Sequence, residues 1–371
     1  MSPLAKILRE SIAQDGPMPL DTFMAVALGH SRHGYYMTRD PFGAAGDFVT
    51  APEISQMFGE LIGLWAAETW ARLGAPPRIL LVELGPGRGT LMSDALRAAR
   101  VSNAFCAALE VHLVETSPVL TQAQKSALAQ AAVPVHWHTS LESLPEGPAI
   151  FLANEFFDAL PVRHYVKTPE GWRQRLVGLN AQGALAFGLA SETEPRLDAQ
   201  APDGSVLELS PAAQLIASQI ATRVAGGESA ALVIDYGYVA SGFGETLQAL
   251  KQHRPVDPLS EPGQVDLTAH VDFSSLARAA HAAGADVLGP VTQGEFLTRL
   301  GIAQRAEALK RKATPEQAQA LDVARARLVS DRFSAGGSQA SVAGMGTLFK
   351  ALAIVPRGTP VLPGFAGGDG S

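Results

Sequence analysis

Short apolar runs alternate with segments of helical periodicity through most of the chain. Each run is short and apolar enough for a strand that is covered on both faces. The clearest runs are 78–84, 110–115, 133–138, 149–153 and 229–235. Segments with helical spacing lie between or after them, at 91–100, 119–132, 211–224 and 272–283. This alternation predicts an open, doubly wound α/β sheet, in which ligands bind beyond the carboxyl ends of the strands.

The pattern predicts further elements after the fifth run. Residues 286–291 read as a strand, a long helix rich in Ala, Arg and Glu ends near Phe333, and a last apolar strand covers 347–355. The glycine-rich residues 364–371 are expected to form a disordered tail.

Two segments depart from the alternation. The first 75 residues read as helices, with apolar positions of 54–70 recurring on one helical face, so we predict an N-terminal helical cap. Residues 162–189 have period-two patterning with turn signals at 169–171 and 180–183, which predicts an inserted antiparallel β meander. The predicted domains are the cap, the main α/β domain and the meander, at 1–75, at 76–160 with 211–363, and at 161–210.

Composition fits a globular protein of about two ordinary domain lengths. The chain has 371 residues, of which 47% are hydrophobic and 18% charged, and its net charge of −7 gives no global positive field for nucleic acid or an anionic membrane. The single cysteine, Cys106, cannot form an intrachain disulfide, and no Cys/His spacing resembles a structural zinc site. No signal peptide, transit peptide or membrane span is recognised. We therefore predict a cytoplasmic protein without a metal, a nucleic-acid partner or membrane insertion.

A glycine-rich turn follows the first predicted strand, in Glu83-Leu-Gly-Pro-Gly-Arg-Gly-Thr90. Glycine permits positive φ and lets a ligand approach the backbone closely. The third glycine comes one residue too early for a G-x-G-x-x-G dinucleotide fingerprint. The spacing resembles instead the motif of S-adenosylmethionine-dependent methyltransferases of the Rossmann-like class. An NAD site and a purely structural turn are the alternatives.

Three later strand ends carry polar residues. Glu115 ends the second strand, where a carboxylate can accept the hydroxyl hydrogens of a ribose; the alternative is an exposed acid before a helix. Asn154, Glu155 and Asp158 follow the fourth strand, at the position where such methyltransferases hold the methyl acceptor. The alternative is that Asn154 and Asp158 only cap the next helix. Asp235 ends the fifth strand. A role in the site and a role in capping the next loop are equally supported for this residue.

A set of separated motifs, in order along nearly the whole chain, resembles the MidA family. The motifs are Gly46-Asp-Phe-Val-Thr-Ala-Pro-Glu-Ile-Ser55 with Phe58-Gly-Glu60, Glu83-Leu-Gly-Pro-Gly-Arg-Gly-Thr90, Asn154-Glu-Phe-Phe-Asp-Ala-Leu-Pro161, Ile234-Asp-Tyr-Gly237, Asp266-Leu-Thr-Ala-His-Val-Asp-Phe273 and Thr292-Gln-Gly-Glu-Phe-Leu297. That family includes a mitochondrial complex I assembly factor that is a protein-arginine methyltransferase.

The resemblance implies an S-adenosylmethionine-dependent enzyme that symmetrically dimethylates an arginine on the 49-kDa-type subunit of respiratory complex I. It also implies two sets of site residues. Those expected to bind the cofactor are Glu83, Gly85, Gly87, Gly89, Glu115, Asp47 and Thr50. Those expected at the acceptor are Asn154, Glu155 and Asp158.

The chemistry expected of such a site is mainly alignment. An arginine acceptor is protonated at neutral pH and poorly nucleophilic, so a carboxylate of Glu155 or Asp158 would orient its guanidinium and accept or relay the proton lost after transfer. The competing hypotheses are a non-catalytic assembly module on the same scaffold and a small-molecule methyltransferase. A homodimer is compatible with the resemblance and with the exposed insertion.

Overall fold

The computed structural model describes residues 2–41, 49–334 and 341–365. The chain forms two compact units. One, here the meander unit, comprises Met1–Phe48, Asp158–Ile216 and Ala240–His270; the other, the sheet unit, comprises Val49–Phe157, Ala217–Val239 and Val271–Ser371. The predicted cap of residues 1–75 is therefore divided between the two units.

The helices and strands are numbered in chain order. The helices are α1 Pro3–Asp15, α2 Leu20–Gly29, α3 Tyr35–Thr38, α4 Ala51–Ile54, α5 Gln56–Arg72, α6 Thr90–Ala99, α7 Asn103–Ala108, α8 Pro118–Ala127, α9 Pro211–Val224, α10 Phe273–Ala282, α11 Gln293–Arg299, α12 Ile302–Lys310 and α13 Pro315–Val329. The strands are β1 Met18–Pro19, β2 Ile79–Leu84, β3 Leu109–Val114, β4 Val135–His138, β5 Ala149–Asn154, β6 Arg163–Thr168, β7 Gly171–Leu179, β8 Leu185–Leu189, β9 Val206–Leu209, β10 Ala230–Tyr238, β11 Gln248–Lys251, β12 Arg254–Val256, β13 Asp266–Thr268, β14 Val271–Asp272, β15 Asp286–Thr292, β16 Arg332–Ser334, β17 Ser341–Ala343 and β18 Phe349–Val355.

The sheet unit is built on an eight-stranded sheet with the order β15-β18-β10-β5-β2-β3-β4, and β14 pairs with β10. Strands β4, β3, β2, β5 and β10 are parallel, and β18 is antiparallel to both of its neighbours. The chain runs from β2 outward to β4 and then returns to β5 on the other side of β2. The predicted α/β fold is confirmed. Sheets of this kind bind their ligands where the strand order reverses, which here is at the carboxyl ends of β2 and β5.

One predicted helix is wrong in extent. The long helix expected to end near Phe333 is three helices, α11 to α13, because two local signals interrupt it. Gly301 adopts φ +88°, which a continuing helix cannot accommodate, and Thr314 forms a capping box with Gln317 that begins α13. Helix α7 and strands β11 to β13 have no counterpart among the predicted elements.

Helix α5 forms much of the core beside the sheet. Its predicted apolar face is buried, including Phe58 and Trp65, and Glu60 from the same helix is buried as well. The Glu60 carboxylate accepts hydrogen bonds from Arg97 on α6 (3.1 Å) and from Arg305 on α12 (2.7 and 2.9 Å). This charged cluster ties three helices of the sheet unit together, because a buried carboxylate needs such partners.

The meander unit contains the predicted insertion. Strands β6 to β9 are antiparallel, and the hairpin between β7 and β8 turns at Gly183, which adopts φ +72°. Helices α1 and α2 contribute the core of this unit, and β11 to β13 form a small separate sheet. The insertion predicted from period-two patterning is confirmed.

The predicted tail begins inside the folded structure. Gly364 and Phe365 are described, and Phe365 is buried with its ring centroid 5.3 Å from that of Phe296. Residues 366–371 lie outside the described part of the chain. Within the described ranges, no helix combines the length and the apolar character needed to cross a membrane.

Candidate active site

The glycine turn joins β2 to α6 in a backbone conformation that glycine favours. Gly85, Gly87 and Gly89 adopt φ of +61°, +54° and +82°, and Gly89 immediately precedes α6. A Cβ atom at Gly85 would lie 2.9 Å from Cδ2 of Phe156, which follows β5. The turn therefore requires glycine both for its φ values and for the approach of Phe156, and it leaves the first amides of α6 at the sheet edge.

Glu83 is the last residue but one of β2 and is only 3% exposed. Its Oε2 atom is buried without a hydrogen-bond partner. Burial, together with the negative charge of Glu115, raises the pKa of Glu83 to about 8. The buried Oε2 atom can accept a hydrogen bond from a ligand, and a positively charged ligand group beside it would stabilise the ionised form of the carboxyl group.

Glu115 directly follows β3 and is held by a local network. Its Oε1 accepts a hydrogen bond from the amide of Ser117 (2.7 Å), and its Oε2 accepts one from Nε2 of Gln124 (3.1 Å). The same Nε2 donates to the carbonyl oxygen of Gly87 (2.8 Å), and Oε1 of Gln124 accepts from Nε1 of Trp137 (3.0 Å). The fully buried Gln124 thus ties the glycine turn to Glu115.

Asn154 and Glu155 lie at the end of β5. Glu155 adopts φ +50°, an uncommon conformation for a residue other than glycine, and its Oε1 accepts hydrogen bonds from the amide of Ala51 (2.9 Å) and from Nδ2 of Asn154 (3.2 Å). Oδ1 of Asn154 is buried without a hydrogen-bond partner. Burial lowers the pKa of Arg327 on α13, and the charge of Glu155 opposes this with a smaller upward effect.

The segment that begins α4 contacts both the glycine turn and the end of β5. Thr50 is buried and its carbonyl oxygen accepts from the amides of Glu53 and Ile54. Oε1 of Glu53 accepts a hydrogen bond from Oγ1 of Thr90 (2.5 Å), and its Oε2 lies 3.7 Å from Nη1 of Arg88. Three distant parts of the sequence thereby meet at one edge of the sheet unit.

Comparison with known proteins identifies the family of the chain. Residues 61–291, more than half of the chain, match the sequence profile of a family of S-adenosyl-L-methionine-dependent methyltransferases. The chain belongs to this family. The resemblance to the MidA family, the class I methyltransferase fold and the predicted cofactor are confirmed.

Curated relatives and solved structures agree with the assignment. A zebrafish (Danio rerio) protein named protein arginine methyltransferase NDUFAF7, mitochondrial, is 38% identical over 337 residues, which cover 82% of this chain and 78% of its own. The human protein of that name is 36% identical over 84% of this chain and 76% of its own. A crystal structure of a Burkholderia thailandensis protein bound to S-adenosyl-homocysteine has a TM-score of 0.81 at 30% identity, with 97% and 93% of the two chains covered.

The residues at the sheet edge fit the cofactor of this methyltransferase family. S-adenosylmethionine carries an ammonium group and ribose hydroxyls, all hydrogen-bond donors. The structure offers buried acceptor atoms without partners on Glu83 and Asn154, and the carboxylate of Glu115 one strand away from the glycine turn. When bound, the cofactor supplies a methyl group on a positively charged sulfonium. The enzyme's own part is to orient the acceptor, exclude water and take up a proton.

The predicted site residues fall into three groups. Glu83, the three glycines, Glu115, Asn154, Glu155 and Thr50 all belong to the sheet unit. Asp158 belongs to the meander unit, where its carbonyl oxygen accepts from the amide of Ala269 (2.9 Å) and its charge helps burial to raise the pKa of Tyr36. Asp47 lies outside the described residues. The individual roles of these residues stay predictions.

Asp235 makes three hydrogen bonds to backbone amides. It is completely buried; its Oδ2 accepts from the amides of Phe156 (3.2 Å) and Phe157 (3.0 Å), and its Oδ1 accepts from the amide of Tyr236 (2.9 Å). The carboxylate therefore fixes the turn after β5. Strand β10 continues to Tyr238, so Asp235 does not end its strand, and the loop that it caps follows the neighbouring β5 rather than its own strand. A role of Asp235 in the site stays a prediction.

Two residues of this edge have no predicted role in the sequence. Gln124 carries no motif of its own, since a glutamine on an amphipathic helix ordinarily faces solvent. Glu53 stands in one of the motifs that resemble the MidA family, but the sequence gives no sign of its contact with Thr90. That contact joins two segments that are 37 positions apart and meet only in the folded chain.

Proposed function

We propose that this methyltransferase transfers a methyl group to an arginine side chain of a protein. The observation that carries the proposal is the name shared by relatives that are 36–38% identical over most of the chain, protein arginine methyltransferase. The acidic end of β5 supports it, because a guanidinium acceptor needs a carboxylate to hold it.

Within the sheet unit, Glu155 is the residue that we propose for contact with the acceptor. Its Oε1 is engaged by Ala51 and Asn154, which orient the carboxylate. A carboxylate has two oxygens and about four acceptor positions, so it can hold a guanidinium N–H while keeping these bonds. The proposed role is to orient one terminal nitrogen toward the methyl group and to accept the proton released after transfer. Asp158 is the second candidate for this role.

The finer assignment follows from the MidA resemblance. It is symmetric dimethylation of an arginine on the 49-kDa-type subunit of respiratory complex I, in support of its assembly, with that subunit as the protein partner. The relatives' names include the word mitochondrial, and this chain's own compartment, predicted as cytoplasmic, stays a prediction. The homodimer also stays a prediction.

The first test measures cofactor binding and methylation of the acceptor in two separate experiments. Calorimetric titration of the full chain with S-adenosylmethionine and with NAD should give saturable binding of the first only. Gly87→Val should remove this binding, since valine at φ +54° is strained. The protein is then incubated with the complex I subunit of the same organism and labelled cofactor, and methylarginine is identified by mass spectrometry. Symmetric dimethylarginine on that subunit supports the proposal. Cofactor binding with methylation only of small molecules would overturn the acceptor assignment.

The role of Glu155 has its own test. Glu155→Gln keeps the size of the side chain and an oxygen that can accept from Ala51, but it removes the negative charge. We expect cofactor affinity to change less than about threefold and methyl transfer to fall by about 100-fold, in the range of a lost general base. Glu146→Gln, an exposed change in the same unit, serves as the control. Full transfer activity in Glu155→Gln would contradict the role.

A further inference from the structure

Four titratable side chains share one face of two neighbouring parallel strands, away from the glycine turn. Glu110 and His112 alternate along β3, and His136 and His138 alternate along β4. The strand register pairs His112 with His136. The intervening residues of β3, Leu109, Val111 and Leu113, belong to the hydrophobic core, so the four polar residues lie on the opposite face. The fold thus concentrates two imidazoles and a carboxyl group at the sheet edge, with a third imidazole beside them.

The distances among these groups are close to those of a shared metal ligand set. One ligand atom from each of Glu110, His112 and His136 lies within 4.8 Å of the other two. Nε2 of His112 is 3.7 Å from Oε2 of Glu110. Two ligands about 2.1 Å from one tetrahedral ion are about 3.4 Å apart, so this pair needs little movement. The ring of the exposed His136 stacks on that of His112, with centroids 4.9 Å apart, so it has to turn out of this stack to bind the same ion.

His112 carries a polar atom that the protein itself does not satisfy. The residue is only 3% exposed, and its Nε2 is buried without a hydrogen-bond partner. A buried polar nitrogen in this state is destabilising, because it has lost its bond to water without gaining another. A metal ion bound at Nε2 would remove this cost, which makes the orphaned atom an observation that points to a ligand independently of the cluster.

The neighbours of the candidate ligands hold them as outer partners usually hold metal ligands. Nδ1 of His112 lies 2.8 Å from Nε2 of His138, and the tautomer with the proton on Nδ1 leaves the Nε2 lone pair available. Glu110 accepts two hydrogen bonds from Arg78, at 2.8 and 2.7 Å, which fix the plane of its carboxylate. Arg78 is also a positive charge close to the site, so its presence weakens the binding of a cation.

We propose that Glu110, His112 and His136 form a binding site for a divalent transition metal of the zinc class. A water molecule completes the coordination of the ion and reaches it from the side of the exposed His136. Two imidazoles and one carboxylate are a ligand set that zinc accepts. The site is separate from the methyl-transfer site, because His112 precedes Glu115 by three residues, about 10 Å along the strand. Cys/His spacing along the chain does not indicate this site, since its ligands come from two strands and meet only through the strand register.

The test uses the full chain without an affinity tag, freed of metal with a chelator and exchanged into chelator-free buffer. Titration with ZnCl2 should show one binding event that His136→Ala weakens by at least about tenfold, as expected when a metal loses one of its ligands. His136 is exposed, so this variant is expected to fold normally. The matched control is His33→Ala, which removes one ring of a stacked histidine pair in the meander unit. This control should bind zinc like the unaltered protein.

A second readout identifies the ligands directly. Cobalt(II) titration should produce visible absorption bands of a low-symmetry site in the unaltered protein and in His33→Ala, and these bands should be lost in His136→Ala and Glu110→Gln. Absence of zinc binding by the unaltered protein would overturn the proposal. Equal binding by His136→Ala and the unaltered protein, or loss of binding in His33→Ala, would also overturn it. None of these readouts depends on methyl-transfer activity.

Discussion

Gln124 donates a hydrogen bond of 3.1 Å to the carboxylate of Glu115, and the same amide nitrogen reaches the carbonyl oxygen of Gly87 at 2.8 Å. One buried side chain of α8 therefore sets the spacing between the glycine turn and the acid at the end of β3. Both partners are predicted to bind the cofactor. The proposed role of Gln124 is to position these two groups rather than to touch the reacting atoms.

Replacing Gln124 by Ala should weaken cofactor binding more than it slows methyl transfer at saturation. The variant leaves Glu115 and the Gly87 carbonyl without this partner and also removes the acceptor of Trp137 Nε1. We expect a loss of about 1–2 kcal/mol, which corresponds to roughly a 5- to 30-fold weaker affinity. Calorimetry measures the cofactor affinity, and KM and kcat are determined separately for methyl transfer. Gln122→Ala, an exposed change on the same helix, is the matched control. A lowered kcat with unchanged affinity would contradict the positioning role.

The raised pKa of Glu83 predicts that stability without cofactor depends on pH. The folded-state pKa is about 8 against an ordinary value of 4.5, so between these values the folded protein binds more protons than the unfolded chain. The contribution of Glu83 to the free energy of unfolding should therefore fall as pH rises from about 5 to 8, with a slope of at most about 1.4 kcal/mol per pH unit and a total of a few kcal/mol. Urea unfolding across this pH range measures the slope.

Glu83→Gln should remove that contribution, so the pH dependence of the variant should differ from that of the unaltered protein by this amount, because glutamine stays neutral at every pH in the range. The exposed Glu146→Gln should keep it. If Glu83→Gln and the unaltered protein show the same pH dependence, Glu83 is ionised in the folded protein at neutral pH and the prediction is wrong.

Gly85→Ala should impair the cofactor site through a clash as well as through backbone strain. Its Cβ would lie 2.9 Å from Phe156, and φ +61° costs an alanine roughly 1–2 kcal/mol. Gly74→Ala is the matched control, since Gly74 adopts φ +92° in open space in the same unit and alanine there adds strain alone. We expect at least about a tenfold weaker cofactor affinity in Gly85→Ala only, the equivalent of about 1.4 kcal/mol. Adding Phe156→Leu should recover part of it, and no recovery would argue against the clash.

The parts of the site that the sequence predicts are those whose chemistry is local. The glycine turn is recognisable because three positive φ values demand glycine at fixed spacing, and Glu115 because a strand end fixes where its side chain emerges. Gln124 and the contact of Glu155 with Ala51 are not, since they depend on packing between residues distant in sequence. The same holds for the cluster of Glu110 with two histidines, which exists only through the register of two strands.

Asp235 holds the turn after β5 from the neighbouring strand, so its replacement should lower the stability of the protein and perturb this turn. Its completely buried carboxylate accepts hydrogen bonds from the amides of Phe156, Phe157 and Tyr236. Asp235→Asn keeps an oxygen but replaces the other by an amide donor that faces those donors, so we expect a loss of about 2 kcal/mol in the free energy of unfolding.

The matched control for Asp235 is Asp286→Asn. Asp286 also accepts from the amide of the following residue, Val287, but its side chain is 51% exposed, so we expect a change below about 0.5 kcal/mol. Urea unfolding followed by tryptophan fluorescence gives both values. Because the turn carries Phe156 beside Gly85, Asp235→Asn should also weaken cofactor binding. Unchanged stability in this variant would mean that the three amides find other acceptors and that the turn does not depend on the carboxylate.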